Sequence, residues 1–268
     1  MNKTKIDWAD RTWNPVTGCK FGCPYCYAKK HAQRFAGGGY GKRNAMFIDK
    51  YKDDAFLPPY VLDEPQLAKT KIGWYREAPY PFGFEPTLHR YRLKEPAQEK
   101  KPQNIFVCSM ADLFGDWVPD EWIKKVLKVC EKAPQHRYLF LTKNPKKYKE
   151  IIEKWKYTMP DNFWFGSSVS NRKMPALWTN RFNTFLSIEP LQDSWECNSY
   201  DYPQFEPLRW VIIGAETGNR KEKIIPKREW IEKIVFQCHK ISIPVFMKNN
   251  LQKIWGEPLI QEYPWGNK

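Results

Sequence analysis

The 268-residue chain contains no apolar run approaching the ~20 residues that a bilayer-crossing helix needs, so a membrane-spanning protein is not expected. The start Met1-Asn2-Lys3-Thr4-Lys5 lacks the apolar segment of a secretory leader, and the expected location is cytoplasmic. An even cysteine framework is also missing. Seven cysteines are present, three of them between residues 19 and 26, and in a cytosolic chain such clustering reads as a metal or cluster site rather than as disulfides. There is no internal repeat and no separate domain boundary. Negative charge is scarce: 30 Asp and Glu face 44 Lys and Arg, giving a net charge of +14. That surplus points to an anionic partner, for which nucleic acid is the usual candidate, against the plainer reading of a generally basic enzyme.

What is present is rich in aromatics, with 13 Trp and 14 Tyr, enough for a large core and for flat stacking surfaces. Short apolar runs at Ile105–Cys108, Tyr138–Leu141, Phe163–Phe165, Thr184–Ile188, Trp210–Ile213 and Pro244–Met247 read as strands. Between them, Glu121–Cys130 places Trp122, Ile123, Val126, Leu127 and Cys130 on one helical face, with Asp120 as expected N-cap. Lys146–Trp155 and Lys227–His239 are similarly amphipathic, while 172–183 and 192–208 read as less regular crossovers. The expected fold class is α/β: buried parallel strands joined by helices, most simply a full or partial parallel (β/α) barrel. Residues 36–103 break the rhythm with Gly37-Gly38-Gly39, repeated Pro and a basic aromatic stretch. They read as an irregular insertion on a single domain covering 1–268, with Glu85–His89 a further candidate strand.

The segment Gly18-Cys19-Lys20-Phe21-Gly22-Cys23-Pro24-Tyr25-Cys26-Tyr27 carries C-x3-C-x2-C. Three closely spaced thiolates can hold three irons of a [4Fe–4S] cubane and leave the fourth open to a substrate or cofactor, whereas a four-Cys site is closed. Gly18 and Gly22 let the loop wrap closely. The competing metal reading is a zinc knot with His31 as fourth ligand.

With these cysteines, Thr12-Trp13-Asn14-Pro15-Val16-Thr17, Ser109-Met110-Ala111-Asp112-Leu113-Phe114, Leu141-Thr142-Lys143, Ser187-Ile188-Glu189-Pro190-Leu191 and Gly214-Ala215-Glu216-Thr217-Gly218 complete a resemblance over nearly the whole chain. The sequence resembles the radical S-adenosylmethionine (SAM) superfamily, and within it a phage-associated radical SAM-like family, with a looser similarity to spore photoproduct lyase. The resemblance implies a radical SAM type barrel. It further implies SAM bound through its amino and carboxylate groups to the fourth iron, an external electron donor, and cleavage to methionine and a 5′-deoxyadenosyl radical.

Strand ends bear polar groups, as the rims of parallel barrels do. For SAM, Lys143 and Ser168 suit the carboxylate. Ser109–Asp112 suits the ammonium, at the place where relatives carry a Gly-Gly-Glu motif that is absent here. Ser170, Asn171 or Glu189 suits the ribose, and backbone near Tyr25 and Gly214 the adenine; Glu216 stands at the same rim. Trp74, Arg76, Arg90 and Arg92 in the insertion, with Arg220, Lys221 and Lys223 in a basic run, suit stacking and phosphate contacts. The expected function is radical modification or repair of a nucleobase in DNA or RNA, which must be extruded if it sits in a duplex. The alternatives are a radical SAM enzyme acting on a nucleotide, peptide or other small molecule, and a zinc-bearing nucleic-acid-binding protein. Cys108, Cys130, Cys197 and Cys238 are the remaining thiols from which a hydrogen donor could come.

Overall fold

The structure, a computed structural model, describes residues 1–36, 58–69, 72–195 and 207–266. Gly37-Gly38-Gly39, Cys197 and parts of the expected insertion and of the 192–208 crossover lie outside these residues. The fold divides into two compact units, Met1–Lys3 with Arg11–His136, and Thr4–Asp10 with Arg137–Lys268.

In the first unit, β1 (Asn2–Lys3) pairs antiparallel with β2 (Arg11–Trp13), and β2 runs parallel to β8 (Asn104–Val107). The four residues of β8 are all buried, as a parallel strand covered on both faces requires. A smaller sheet joins β3 (Val16–Thr17), β4 (Tyr60–Leu62) and β7 (Thr87–His89), with β7 central. Thus the expected strand at 85–89 is confined to its last three residues, and its pairing with β3 ties part of the insertion to the segment just before the cysteines. β5 (Leu67–Lys69) and β6 (Tyr75–Glu77) pair antiparallel as a separate hairpin. Helix α1 (Tyr27–Arg34) follows the cysteines directly. Between Arg90 and Pro102 lie a 3-10 turn at Arg90–Arg92 and the four-residue α2 (Glu95–Gln98), whose first turn tolerates Pro96 because that amide has no helical partner. Helix α3 (Asp120–Glu131) buries the five residues its spacing picks out. Pro119, not Asp120, holds the N-cap position; Asp120 and Glu121 instead place negative charge in the first turn, where it complements the helix dipole.

The second unit contains β9 (Arg137–Thr142), β10 (Phe163–Val169), β11 (Asn183–Ile188), β12 (Val211–Ile213) and β13 (Val245–Met247), all parallel and adjacent in chain order. Helix α4 (Lys146–Trp155) follows β9, α5 (Arg228–Lys240) precedes β13, and α6 (Gln252–Trp255) comes after it. Side chains alternate between faces along each strand. Leu186, Ile188, Val211, Ile213, Val245 and Met247 pack with Ile231, Ile234, Val235 and Cys238 of α5 in one cluster. Their neighbours Phe185, Trp210 and Phe246 turn to the other face, where they meet Trp8, Tyr263 and Trp265 edge-on or tilted. All six strands expected after residue 104 are present, and the chain is α/β with mostly parallel strands. Among the described residues no helix is long and apolar enough to cross a membrane.

Candidate functional site

The cysteine loop is fixed at its start by backbone. Gly18, at φ +90°, donates its N–H to Met110 O at 2.9 Å, and Cys19 N–H reaches Phe84 O at 3.2 Å. A Cβ at Gly18 would lie 2.3 Å from both C and O of Glu85, so the loop passes a neighbouring main chain too closely for any side chain. Asn14 adds a second tie: its Oδ1 accepts from Ser109 Oγ at 3.2 Å and from Met110 N–H at 2.9 Å. Tyr27 Oη donates to Ser109 O at 2.9 Å. The loop and the end of β8 therefore hold each other, and Ser109, expected to contact SAM, spends its hydroxyl and carbonyl on this lacing.

At the other end Cys26 is the N-cap of α1, its Sγ accepting from Lys29 N–H at 3.3 Å. Cys19 and Cys26 pack against buried Ala28, Ala32, Tyr80, Phe84 and Met110. Cys19, Cys23 and Cys26 are half-buried, whereas Cys108, Cys130 and Cys238 are buried. Burial pushes the Cys19 thiol up to about 12, opposed by a backbone hydrogen bond at Phe21 and reinforced by negative charge at Asp112, Cys23 and Cys26. Asp112 is itself buried, its Oδ1 accepting from Phe114 N–H at 3.1 Å. Tyr25 is half-buried in the loop.

Among the described residues no group of three or more His, Cys, Asp or Glu is placed to hold a metal ion. His31 is exposed, its ring 4.6 Å from that of Phe35 and 5.8 Å from that of Tyr80. In kind, the donor set fits an iron–sulfur cluster: three accessible thiols on one turn, an apolar bed beneath, and a helix N-terminus at the last.

In the second unit the expected polar residues do gather at the carboxyl ends of the five parallel strands. Lys143 Nζ donates to Ser168 Oγ at 2.9 Å. Glu189 and Lys248 form an ion pair. Gly214 lies against it, since a Cβ there would meet Lys248 Cδ at 2.9 Å and Glu189 Cδ at 3.3 Å. Ser170 is occupied by Met174, to whose Sδ both its Oγ and its N–H point, and Asn171 Oδ1 accepts from Lys173 N–H at 3.0 Å. Glu216 is buried and held by the guanidinium of Arg220 through two bonds of 2.8 Å.

That pairing changes the reading of the basic residues. Arg220 is a lock for Glu216, and Lys223 Nζ donates to Gly218 O at 3.1 Å; Lys221 is exposed. Arg92 donates to the carbonyls of Asn14 and Pro79 at 3.0 and 3.2 Å, which makes it part of the framework behind the cysteine loop. Arg90 forms an exposed pair with Asp63 at 3.0 Å. Trp74 and Arg76 remain as surface groups on the β5–β6 hairpin, Trp74 being 73% exposed. Asn14, Ser187 and Lys248 carry more of the two regions than sequence reasoning assigns. Asn14, in the Asn-Pro step ahead of the cysteines, was the most legible of the three.

A family model described as "Protein of unknown function (DUF5131)" matches residues 3–259. No curated protein and no solved structure matches the chain.

Proposed function

The chain belongs to the DUF5131 family, and we propose that it is a radical SAM enzyme acting on nucleic acid, with its cluster on Cys19, Cys23 and Cys26. The observation that carries this reading is the cysteine loop: C-x3-C-x2-C, accessible, bent at Gly18 and Gly22, and ending on a helix N-terminus. When bound, the cluster would supply the electron that cleaves SAM to methionine and a 5′-deoxyadenosyl radical. The chain's own part is to hold three thiolates, and the Cys26 sulfur already accepts from the Lys29 amide at the start of α1. Asn14, Gly18 and Arg92 keep the loop in place by bonds to the main chain.

The fold that accompanies this chemistry is a (β/α) barrel. Support comes from the second unit, whose strands follow one another in chain order without the reversal that marks doubly wound sheets. Nucleic acid as substrate is supported by the net charge of +14 and by exposed Trp74 beside Arg76.

Anaerobic reconstitution with iron, sulfide and reductant tests the reading. The expected product is brown, with about four irons per chain, and cleaves SAM. Cys19→Ala, Cys23→Ala and Cys26→Ala should each abolish that cleavage. A colourless protein holding one equivalent of zinc would sink it.

A further inference from the structure

The face of the second unit's sheet that turns away from α5 carries a hydrogen-bonding set that the chain does not complete. Along β11, Phe185, Ser187 and Glu189 point to this face, because Leu186 and Ile188 belong to the α5 cluster. Register places Ser168 of β10 beside Ser187, with Ile212 and then Phe246 on its other side. Ser187 is fully buried, and its Oγ has no hydrogen-bond partner among the described residues. Buried hydroxyls in folded proteins are nearly always satisfied.

One step toward the strand ends lie Glu189, Gly214 and Lys248. The ion-paired side chains remain 26% and 15% exposed, so a ligand can reach both. The missing Cβ of Gly214 leaves them the space they occupy. The surrounding main chain is fixed: Glu189 N–H donates to Val169 O, Gly214 N–H to Ile188 O and Lys248 N–H to Ile213 O, at 2.9, 3.1 and 2.9 Å. Asn250 clamps the next peptide from both sides, donating to Ala215 O at 2.7 Å and accepting from Ala215 N–H at 3.1 Å. A carboxylate acceptor and an ammonium donor are therefore held side by side, with an unused hydroxyl below and the Phe185–Trp210–Phe246 aromatic layer adjoining.

We propose that this constellation reads the lactam edge of a nucleobase, the adjacent N–H and C=O that uracil, thymine and guanine present. Glu189 accepts from the N–H and Lys248 donates to the C=O. The ion pair need not open, because the carboxylate keeps a second oxygen and the ammonium keeps further protons. An amidine edge, as in cytosine or adenine, offers a weaker amino donor and a ring nitrogen in place of the carbonyl. Ser187 completes its hydroxyl on the bound base. The choice of a base as ligand rests on the nucleic-acid reading above; the donor–acceptor geometry does not.

The test is equilibrium binding of free nucleosides to the full chain, with and without cluster. Uridine and guanosine should bind at least about tenfold more tightly than cytidine, the loss expected when one charge-assisted hydrogen bond goes unmade. N3-methyluridine, which lacks only the donor hydrogen, should lose the same factor on the unmodified protein, so no folding defect can mimic the result. Lys248→Met should abolish the preference, and Ser187→Ala should weaken uridine binding while retaining it. Equal binding of uridine and N3-methyluridine, equal binding of cytidine, an unchanged preference in Lys248→Met, or no uridine binding at about millimolar concentration would each overturn the proposal. Selective binding by a chain that never assembles a cluster would overturn the radical SAM reading alone. Absence of selectivity in a cluster-loaded, SAM-cleaving protein would overturn this site alone.

Discussion

Gly18 and Gly22 both have positive φ, +90° and +66°, and each immediately precedes a cysteine, yet their surroundings differ sharply. An alanine Cβ at Gly22 meets no heavy atom within 4 Å, whereas at Gly18 it would fall 2.3 Å from Glu85 C and O and 2.6 Å from Pro86 N. Left-handed backbone costs a residue with a Cβ about 1–2 kcal/mol, and Gly22→Ala should lose only that. Gly18→Ala adds overlap with main chain that cannot rotate away, about 1–3 kcal/mol more. The total of about 2–5 kcal/mol is a large part of a typical domain's stability. Urea denaturation of the metal-free proteins reads this difference. With a slope of about 2.5 kcal/mol per molar, toward the upper end as suits a chain of this size, the Gly18→Ala midpoint should fall by about 0.8–2 M and the Gly22→Ala midpoint by about 0.4–0.8 M. Displacing the first cysteine should also lower iron retention in Gly18→Ala. Equal midpoints would show that the close passage against Glu85 and Pro86 is not part of the fold.

Other expectations are independent of any cofactor. Iodoacetamide at pH 8 should label half-buried Cys23 and Cys26 first and leave Cys108 and Cys130 unreacted, since burial raises Cys108 to about 12 and Cys130 well above its ordinary value; peptide mass spectrometry showing Cys108 modified early would refute the burial. His89 is held far below its ordinary 6.5, first by burial and then by the Arg92 charge. The unfolded chain therefore gains a proton that the folded one does not, and stability drains away as pH falls below about 6.5, by up to ~1.4 kcal/mol per pH unit. Melting of the wild type and His89→Gln between pH 7 and 5 should show the smaller pH slope in the variant; parallel slopes would count against it. For nucleic acid, Arg76→Ala should reduce the log–log salt slope by about 0.7–0.9, and Trp74→Ala should weaken binding with the slope unchanged. Arg220→Ala should lower the melting temperature by several degrees and Lys221→Ala should not, because only Arg220 holds a buried carboxylate.

The strands and helices after residue 104 were legible because each is a local pattern. Phe163–Phe165 and Trp210–Ile213 are apolar runs of strand length, and α3 repeats its apolar face at helical spacing. The first unit was not legible in that way. Arg11-Thr12-Trp13 and Val16-Thr17 are too short to show a period, and they become strands only because β8 and β7 come alongside from about 70 to 95 residues later. The polar rim of the second unit was legible as a set, from one polar residue after another at strand ends. Which of them pair was not, since the Glu189–Lys248 and Lys143–Ser168 contacts depend on register across strands rather than along one.

The basic residues show how little a global charge says about which side chains carry it to the surface. A charge of +14 is a property of the whole surface, but it does not say which cations reach solvent. Among the cations, Arg is the one suited to being spent on internal partners, because its planar fork satisfies two acceptors at once. Both Arg92 and Arg220 are used so, the first on two carbonyls and the second on both oxygens of one carboxylate. Lysine offers no fork, and Lys221 is left exposed within the same basic run. An anion-binding surface on this chain is therefore better sought among its lysines and on the Trp74–Arg76 hairpin than among the arginines nearest the cysteine loop. Neutralising Arg92 would disturb the frame behind Cys19 before it removed any phosphate contact. Its effect on nucleic-acid binding should be accompanied by lost stability, which Arg76→Ala should not show.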